Sequence, residues 1–154
     1  MAFKANLVSL LLFKNNKMKT ITLETDINVF YVTANTFPEG IGEAFEKLHS
    51  LFPFSRERRI FGLSRPENND GIVYRAAAEE MYEGEAEKLQ CNRLILPKGK
   101  YIALDVIDFR KDLMSIDRAF KQLLHQPNLD PQGYCVEQYA SDSEAITCMI
   151  RLDE

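Results

Sequence analysis

The sequence is poor in the residues that build metal sites and disulfide frameworks. Among 154 residues it has two histidines and three cysteines. His49 and His125 have no cysteine or carboxylate partners at metal-ligand spacing, so we expect no metal and no cofactor. Cys91, Cys135 and Cys148 are odd in number and lack CxxC spacing. We therefore interpret them as small apolar core residues in a reducing, cytoplasmic compartment.

The sequence also lacks an excess of basic residues and a long apolar run. Its formal net charge of −4 argues against nucleic acid as a direct partner, because such surfaces need clustered Lys and Arg. The apolar stretch Leu7–Phe13 is far shorter than the roughly 20 residues that span a bilayer, and no small-residue cleavage site follows it. We expect no membrane partner and interpret residues 1–18 as an N-terminal extension. A short helix or strand that packs on the domain is the alternative.

Residues 19–154 contain no low-complexity segment or coiled coil and are expected to form a single domain. A faint internal repeat aligns Gly40–Phe45 with Ser115–Phe120, an offset of 75 residues. The order strand, helix, strand, strand around both segments predicts two halves, at about 19–82 and 90–154. The predicted fold class is α+β: duplicated units in a mainly antiparallel sheet, packed about a pseudo-twofold axis with a ligand cleft between the halves.

Hydrophobic periodicity places the individual elements. Alternation over residues 20–31 predicts one long first strand, and residues 101–109 predict a second. An apolar stripe predicts a helix after each strand, ended by Pro53 and by Pro127. The two stripes consist of Ile41, Ala44, Phe45, Leu48, Leu51 and Phe52, and of Leu113, Ile116, Phe120, Leu123 and Leu124.

Two charged segments are interpreted as solvated. Glu79–Glu87 contains five glutamates and is expected to connect the two halves through solvent. Arg56–Arg59 holds three arginines and one glutamate, and we expect an exposed turn rather than a phosphate-binding patch.

Glu137 is the leading candidate for a functional charge. A carboxylate that faces packed helices would cost several kcal/mol unless it is paired, so we expect Glu137 to point away from the helices, where the halves meet. The repeat offset places Gly62 opposite it, which leaves a hollow with one acid. A hairpin centred between residues 142 and 143 would also place Cys148 across from it. The alternative is an ordinary strand glutamate whose carboxylate reaches solvent.

Aromatic side chains on the predicted strands suit a pocket for planar or lipophilic molecules, because tyrosine combines a flat apolar face with a hydroxyl. Taken singly, each tyrosine is also compatible with a plain core position. The candidate ligand-binding residues are Glu137, Tyr139, Tyr101, Tyr74, Tyr31, Gly62 and Phe109.

Two short motifs stand in the second half of the chain. Leu94–Tyr101 follows the pattern apolar-Pro-x-Gly-x-Tyr, and Val136–Tyr139 contains Glu-x-Tyr. With the duplicated layout, they resemble the GyrI-like domains, also called AraC-type or bacterial effector-binding domains. The resemblance implies a cleft that takes small molecules, often lipophilic cations, with Glu137 as a buried counter-charge. Tryptophan, common in the family, is absent here, and Phe45 and Phe120 would replace it.

The leading interpretation is a stand-alone small-molecule-binding protein that senses or sequesters lipophilic, cationic ligands, with a link to transcription regulation or drug resistance. The resemblance also implies an enzymatic alternative, the hydrolysis of strained electrophilic molecules. There Glu137 would be the general base, and Tyr139 or Tyr101 would orient the water. A third interpretation is a protein-interaction module that docks on a protein partner through an acidic surface such as Glu79–Glu87.

Overall fold

A computed structural model describes residues 17–69 and 71–153 of the chain. Residues 1–16 of the predicted N-terminal extension lie outside the described part. In chain order the elements are β1 (Lys19–Leu23), β2 (Ile27–Thr33), α1 (Ile41–His49), β3 (Ile60–Pro66), β4 (Ile72–Glu79), α2 (Glu85–Lys88), β5 (Asn92–Leu96), β6 (Gly99–Val106), a 3₁₀ helix (Phe109–Lys111), α3 (Ser115–Leu123), β7 (Cys135–Tyr139) and β8 (Ile146–Arg151).

The eight strands form one antiparallel sheet in the order β1-β6-β8-β7-β3-β4-β2-β5. The predicted α+β class with a mainly antiparallel sheet is therefore confirmed. Strands β3 and β7 meet at the centre, and β4 and β8 flank them on either side. Whether the two halves arose by duplication stays a prediction.

Strand register fits the predicted offset at the centre of the sheet and departs from it elsewhere. Gly62 and Glu137, which are 75 residues apart, are paired directly on β3 and β7. One strand further out, Ala76 pairs with Gly62 and Cys148 pairs with Glu137, so these equivalent positions are 72 apart (76 to 148). The loops between the strands thus differ by three residues between the halves, which a single offset cannot represent.

The prediction of one long first strand is wrong. The chain bends at Glu24 and Thr25, and β1 and β2 lie in different parts of the sheet. β1 pairs with β6 at one edge, whereas β2 lies between β4 and β5. Asp26 stabilises the break, because its carboxylate accepts a hydrogen bond from the backbone N–H of Lys98 (2.8 Å). An apolar alternation that runs through both strands does not reveal this break.

The helices α1 and α3 cover one face of the sheet, each over its own half. Ala44 and Leu48 of α1 pack with Phe30 on β2, and Phe120 and Leu123 of α3 pack on β6 and β8. The opposite face carries a separate core built from strand residues, including Val29, Phe61, Leu63, Val136 and Met149.

Two residues of the predicted second stripe do not join the core. Leu113 and Leu124 are 78% and 55% exposed, because α3 begins at Ser115 and ends at Leu123. Met18 packs against the core under α3, although it falls within the predicted extension. The domain boundary at residue 19 stays a prediction.

The solvated interpretation is wrong for part of each charged segment. Arg58 and Glu85 form a buried ion pair through two hydrogen bonds of 2.8 and 2.9 Å. The Arg58 guanidinium also lies 4.4 Å from the centre of the Phe52 ring. Glu80 is paired with Arg93. These pairs shield Arg58, Glu80 and Glu85 from solvent. Of the other charged residues, Arg56, Glu57, Glu83 and Glu87 are exposed, as predicted.

Candidate functional site

Glu137 lies near the middle of the sheet, on β7. The register places it directly opposite Gly62 on β3 and Cys148 on β8, which confirms both predicted neighbours. The side chain is buried, with the residue 7% exposed. A carboxyl group is therefore held at the junction of the two halves, away from the loops that connect them.

The predicted direction of the Glu137 side chain is wrong, because the side chain faces the helices. Its neighbour Val136 belongs to the core on the opposite face, and Cys135 and Tyr139 pack with the core under α3. Since side chains alternate along a strand, Glu137 shares the face of Cys135 and Tyr139. The expected cost of burial is offset by hydrogen bonds that the sequence alone did not reveal.

Two tyrosine hydroxyls satisfy the Glu137 carboxyl group. Tyr74 on β4 donates to Oε1 at 2.9 Å, and Tyr139 donates to the same oxygen at 2.7 Å. Burial raises the pKa of Glu137, and the two hydrogen bonds oppose that rise. Burial and the nearby carboxyl also raise the pKa of both tyrosines, so they remain neutral donors.

Gly62 makes room for this arrangement. A Cβ at Gly62 would stand 2.8 Å from Glu137 Oε1 and 2.8 Å from Tyr74 Cζ, and closer still to the Tyr74 hydroxyl. These distances are shorter than real Cβ contacts. The hollow predicted opposite Glu137 is therefore filled by the Tyr74 hydroxyl, and only glycine permits it.

Aromatic rings surround the two tyrosines on the helix side. Phe45 of α1 lies edge-on to both, with ring centres 5.3 Å from Tyr139 and 6.2 Å from Tyr74. Phe109 contacts Tyr139 at 6.0 Å, and Phe37 stacks on Tyr74 at 5.9 Å. Phe37 is absent from the predicted set of ligand-binding residues, because it lies in a loop outside any predicted element.

Phe120, the other proposed tryptophan replacement, is buried in the core under α3.

Tyr31 and Tyr101 are not at this site. Both pack in the core on the opposite face of the sheet. The Tyr101 hydroxyl donates to the carbonyl oxygen of Pro97 (2.6 Å), and burial raises its pKa to about 12. Tyr31 lies against the guanidinium of Arg75, 5.0 Å from the ring centre. The structure thus brings together Glu137, Tyr74, Tyr139, Gly62 and Phe109 of the predicted set.

Glu137 also differs from the other shielded glutamates in the kind of partner it has. Glu67, Glu79, Glu80 and Glu85 each form an ion pair with an arginine. Glu137 has hydrogen bonds to neutral hydroxyls, and across residues 17–69 and 71–153 no ion pair to it is found. A buried acid without a cationic partner is costly in its charged form.

The fold is similar to solved structures of low sequence identity. An integron cassette protein from the mobile metagenome of Vibrio cholerae matches with a TM-score of 0.63 and 14% identity, over 88% of this chain and 95% of that one. SAV2435, solved bound to tetraphenylphosphonium, matches with a TM-score of 0.59 and 12% identity, over 88% and 93%. A hydrolase from Listeria innocua matches with a TM-score of 0.52 and 12% identity, over 88% and 91%.

Neither known family models nor curated proteins match the sequence. At these identities the structural matches establish the fold alone.

Within the described part of the chain, no helix is long and apolar enough to cross a membrane.

Proposed function

We propose that this protein binds lipophilic organic cations, with the Glu137 carboxylate as the counter-charge. The observation that carries the proposal is the buried carboxyl group, which has neutral hydrogen-bond donors and a surrounding of aromatic rings. A ligand cation would supply the positive partner that arginine supplies to the other shielded glutamates.

The energetics favour a cation over a neutral analogue. A carboxylate about 4 Å from a unit positive charge is worth ~4 kcal/mol at an effective dielectric constant near 20, against ~1 kcal/mol in water. Aromatic faces add roughly 0.5–2 kcal/mol by cation–π contact. The rings that would offer such faces are Tyr139, whose hydroxyl donates to Glu137, and Phe45 and Phe109, which contact Tyr139.

The ligand would approach Glu137 from the side of Tyr139. Tyr74 is 1% exposed and is held by Phe37, Phe45 and the close approach to Gly62. Tyr139 is only half-buried, so its ring can move with less loss of packing. Displacing it, together with Phe45 or Phe109, would open the carboxyl group on the helix side of the sheet.

The likeness of the fold to SAV2435 supports the ligand class, because tetraphenylphosphonium is a cation enclosed by four phenyl rings. We propose, from the resemblance of Leu94–Tyr101 and Val136–Tyr139, that the chain is a GyrI-like effector-binding domain; the fold it shares with SAV2435 is compatible with this proposal. It would sense or sequester such compounds, with a role in transcription regulation or drug resistance.

The test is calorimetric titration of the wild type and of Glu137→Gln with tetraphenylphosphonium. We expect the variant to bind at least tenfold more weakly, because it keeps the shape of the site and removes its charge. Glu43→Gln, on the exposed side of α1, is the matched control and should bind as the wild type does. Triphenylphosphine oxide, a neutral analogue, should bind weakly to all three proteins. Equal affinity of the wild type and Glu137→Gln for the cation would refute the assignment.

A second candidate function is hydrolysis of strained electrophiles, with Glu137 as general base. Burial raises the pKa of Glu137 toward the range in which a carboxylate abstracts protons efficiently. Tyr139 lies within hydrogen-bond distance of the base and could orient a water molecule. Incubation with alkylating cyclopropane compounds, followed by product analysis, tests this function. A hydrolysed product that disappears in Glu137→Gln would favour it.

A further inference from the structure

The hydrogen bonds at Glu137 leave its two oxygens in different states. Both tyrosine hydroxyls donate to Oε1, and in the described part of the chain no hydrogen bond to Oε2 is found. A neutral carboxylic acid has this asymmetry, with a carbonyl oxygen that accepts and a hydroxyl oxygen that carries the proton. Oε2 is the oxygen that remains for a proton or for a ligand.

The groups that face Glu137 from the neighbouring elements are neutral. Strand β4 contributes the Tyr74 hydroxyl, and β7 contributes Tyr139 and the Cys135 thiol. Strand β8 contributes the Cys148 thiol, and β3 contributes only the backbone of Gly62.

The helix side adds apolar rings, with two groups near them that can carry a positive charge. The Arg110 guanidinium lies 5.1 Å from the centre of the Phe109 ring, but its side chain is 69% exposed and is paired with Glu144. Phe45 of α1 and Phe109 of the 3₁₀ helix contact the tyrosines. His49 of α1 stacks on Phe45, with ring centres 6.3 Å apart, and is exposed to solvent. A positive charge that could balance a Glu137 carboxylate inside the site is therefore absent from the residues that the structure describes around it.

We propose that Glu137 carries a proton when the site is empty and releases it when an organic cation binds, so that the site exchanges one proton for one cation. This inference rests on the proposed function, and it states that the protonation of Glu137 controls cation binding. The O–H bond at Oε2 breaks, its electron pair stays on the carboxylate, and the proton leaves to solvent. The buried site is neutral before binding, as a carboxylic acid, and neutral after it, as a carboxylate with a cation.

Neutrality in both states is the physical reason for the exchange. An uncompensated charge in a low-dielectric site is strongly unfavourable, whether it belongs to the protein or to the ligand. A carboxylate without a cation and a cation beside a protonated acid each leave one such charge. The two uncharged combinations are therefore the ones that are populated, and the hydrogen bonds to Oε1 persist in both.

The experiment is titration of the protein with tetraphenylphosphonium from about pH 5 to about pH 9, at each pH in two buffers of different ionisation enthalpy. Below the pKa of Glu137 in the empty protein, the Kd should fall about tenfold for each unit by which the pH is raised. About one proton should be released for each cation bound. Above that pKa the Kd should become independent of pH, and the number of protons released should fall to zero. Glu137→Gln should release no proton and bind weakly at every pH.

Infrared difference spectra provide a second measurement that needs no variant. The empty wild type should show the carbonyl stretch of a buried carboxylic acid, and the cation should replace it with a carboxylate band. Triphenylphosphine oxide should leave the acid band in place.

Different results would overturn the proton exchange and the cation site itself. Binding that depends on Glu137 but releases no proton would overturn the exchange and leave the cation site standing. Proton release that persists in Glu137→Gln would also overturn the exchange, because another group would be its source. Absence of tetraphenylphosphonium binding at every pH would overturn both.

Discussion

Gly62 and Glu137 are paired on adjacent central strands, and the space above Gly62 holds the hydroxyl that binds the glutamate. The glycine is therefore as much a part of the site as the acid. Any side chain on β3 at this position would displace Tyr74, whose ring is enclosed by Phe37 and Phe45.

The first prediction concerns Gly62→Ala. The added Cβ would overlap Tyr74 and lie 2.8 Å from Glu137 Oε1, so we expect a loss of about 1–3 kcal/mol in the free energy of unfolding. Gly42→Ala is the matched control, because nothing lies within 4 Å of its Cβ. Because alanine favours the helix more than glycine does, Gly42→Ala should increase the free energy of unfolding by roughly 0.5–1 kcal/mol. Urea denaturation measures both, and equal stability of the two variants would contradict the packing described for Tyr74.

The second prediction concerns the two tyrosine hydroxyls that donate to Glu137. Tyr74→Phe and Tyr139→Phe each remove one hydrogen bond to Oε1. These hydrogen bonds oppose the rise in the pKa of Glu137, so each variant should raise that pKa further and move the pH dependence of cation binding to higher pH. Calorimetric titration across pH measures the shift. A midpoint unchanged in both variants would mean that the hydroxyls do not control the charge of Glu137.

The third prediction concerns the pH dependence of stability. Burial raises the folded-state pKa of Glu137 above its usual value. The contribution of protonated Glu137 to the stability of the fold is therefore complete below the usual carboxyl pKa of about 4.3. It is lost as pH rises through the folded-state pKa. Glu137→Gln lacks this loss, so its stability relative to the wild type should increase with pH. Thermal unfolding of both proteins without ligand tests this, and parallel curves would contradict it.

The fourth prediction concerns the ion pair between Arg58 and Glu85, whose side chains are 9% and 6% exposed. Arg58→Met should cost about 3–5 kcal/mol, because it leaves a buried carboxylate without its partner. Arg110→Met breaks the exposed pair with Glu144 and should change stability by less than about 1 kcal/mol. Chemical denaturation compares the two, and a similar small loss in both would show that the Glu85 carboxylate is solvated.

The Arg58 hydrogen bonds also lower the pKa of Glu85. The stability that this pair provides is present above the usual carboxyl pKa and is lost as pH falls through the lowered value. In acid, the wild type should therefore lose more stability than Glu85→Gln does.

The sequence by itself determined the two long helices and several of the strand neighbours. The 3.6-residue stripes located α1 and α3, and a hairpin centred between residues 142 and 143 correctly placed Cys148 across from Glu137. The repeat offset also placed Gly62 opposite Glu137. These features depend on periodicity and on short-range turns, which a linear pattern records directly.

Only the tertiary structure decided which face of the sheet each pattern occupies. A period of two shows that Glu137 and Val136 point in opposite directions, but it does not show which direction leads to the helices. The answer depends on partners far along the chain, since the hydroxyl of Tyr74 reaches Glu137 across 63 residues. The same holds for Tyr31 and Tyr101, whose face follows from strand order. A buried acid is acceptable to the fold when hydroxyls converge on it, and that convergence exists only once the sheet is assembled.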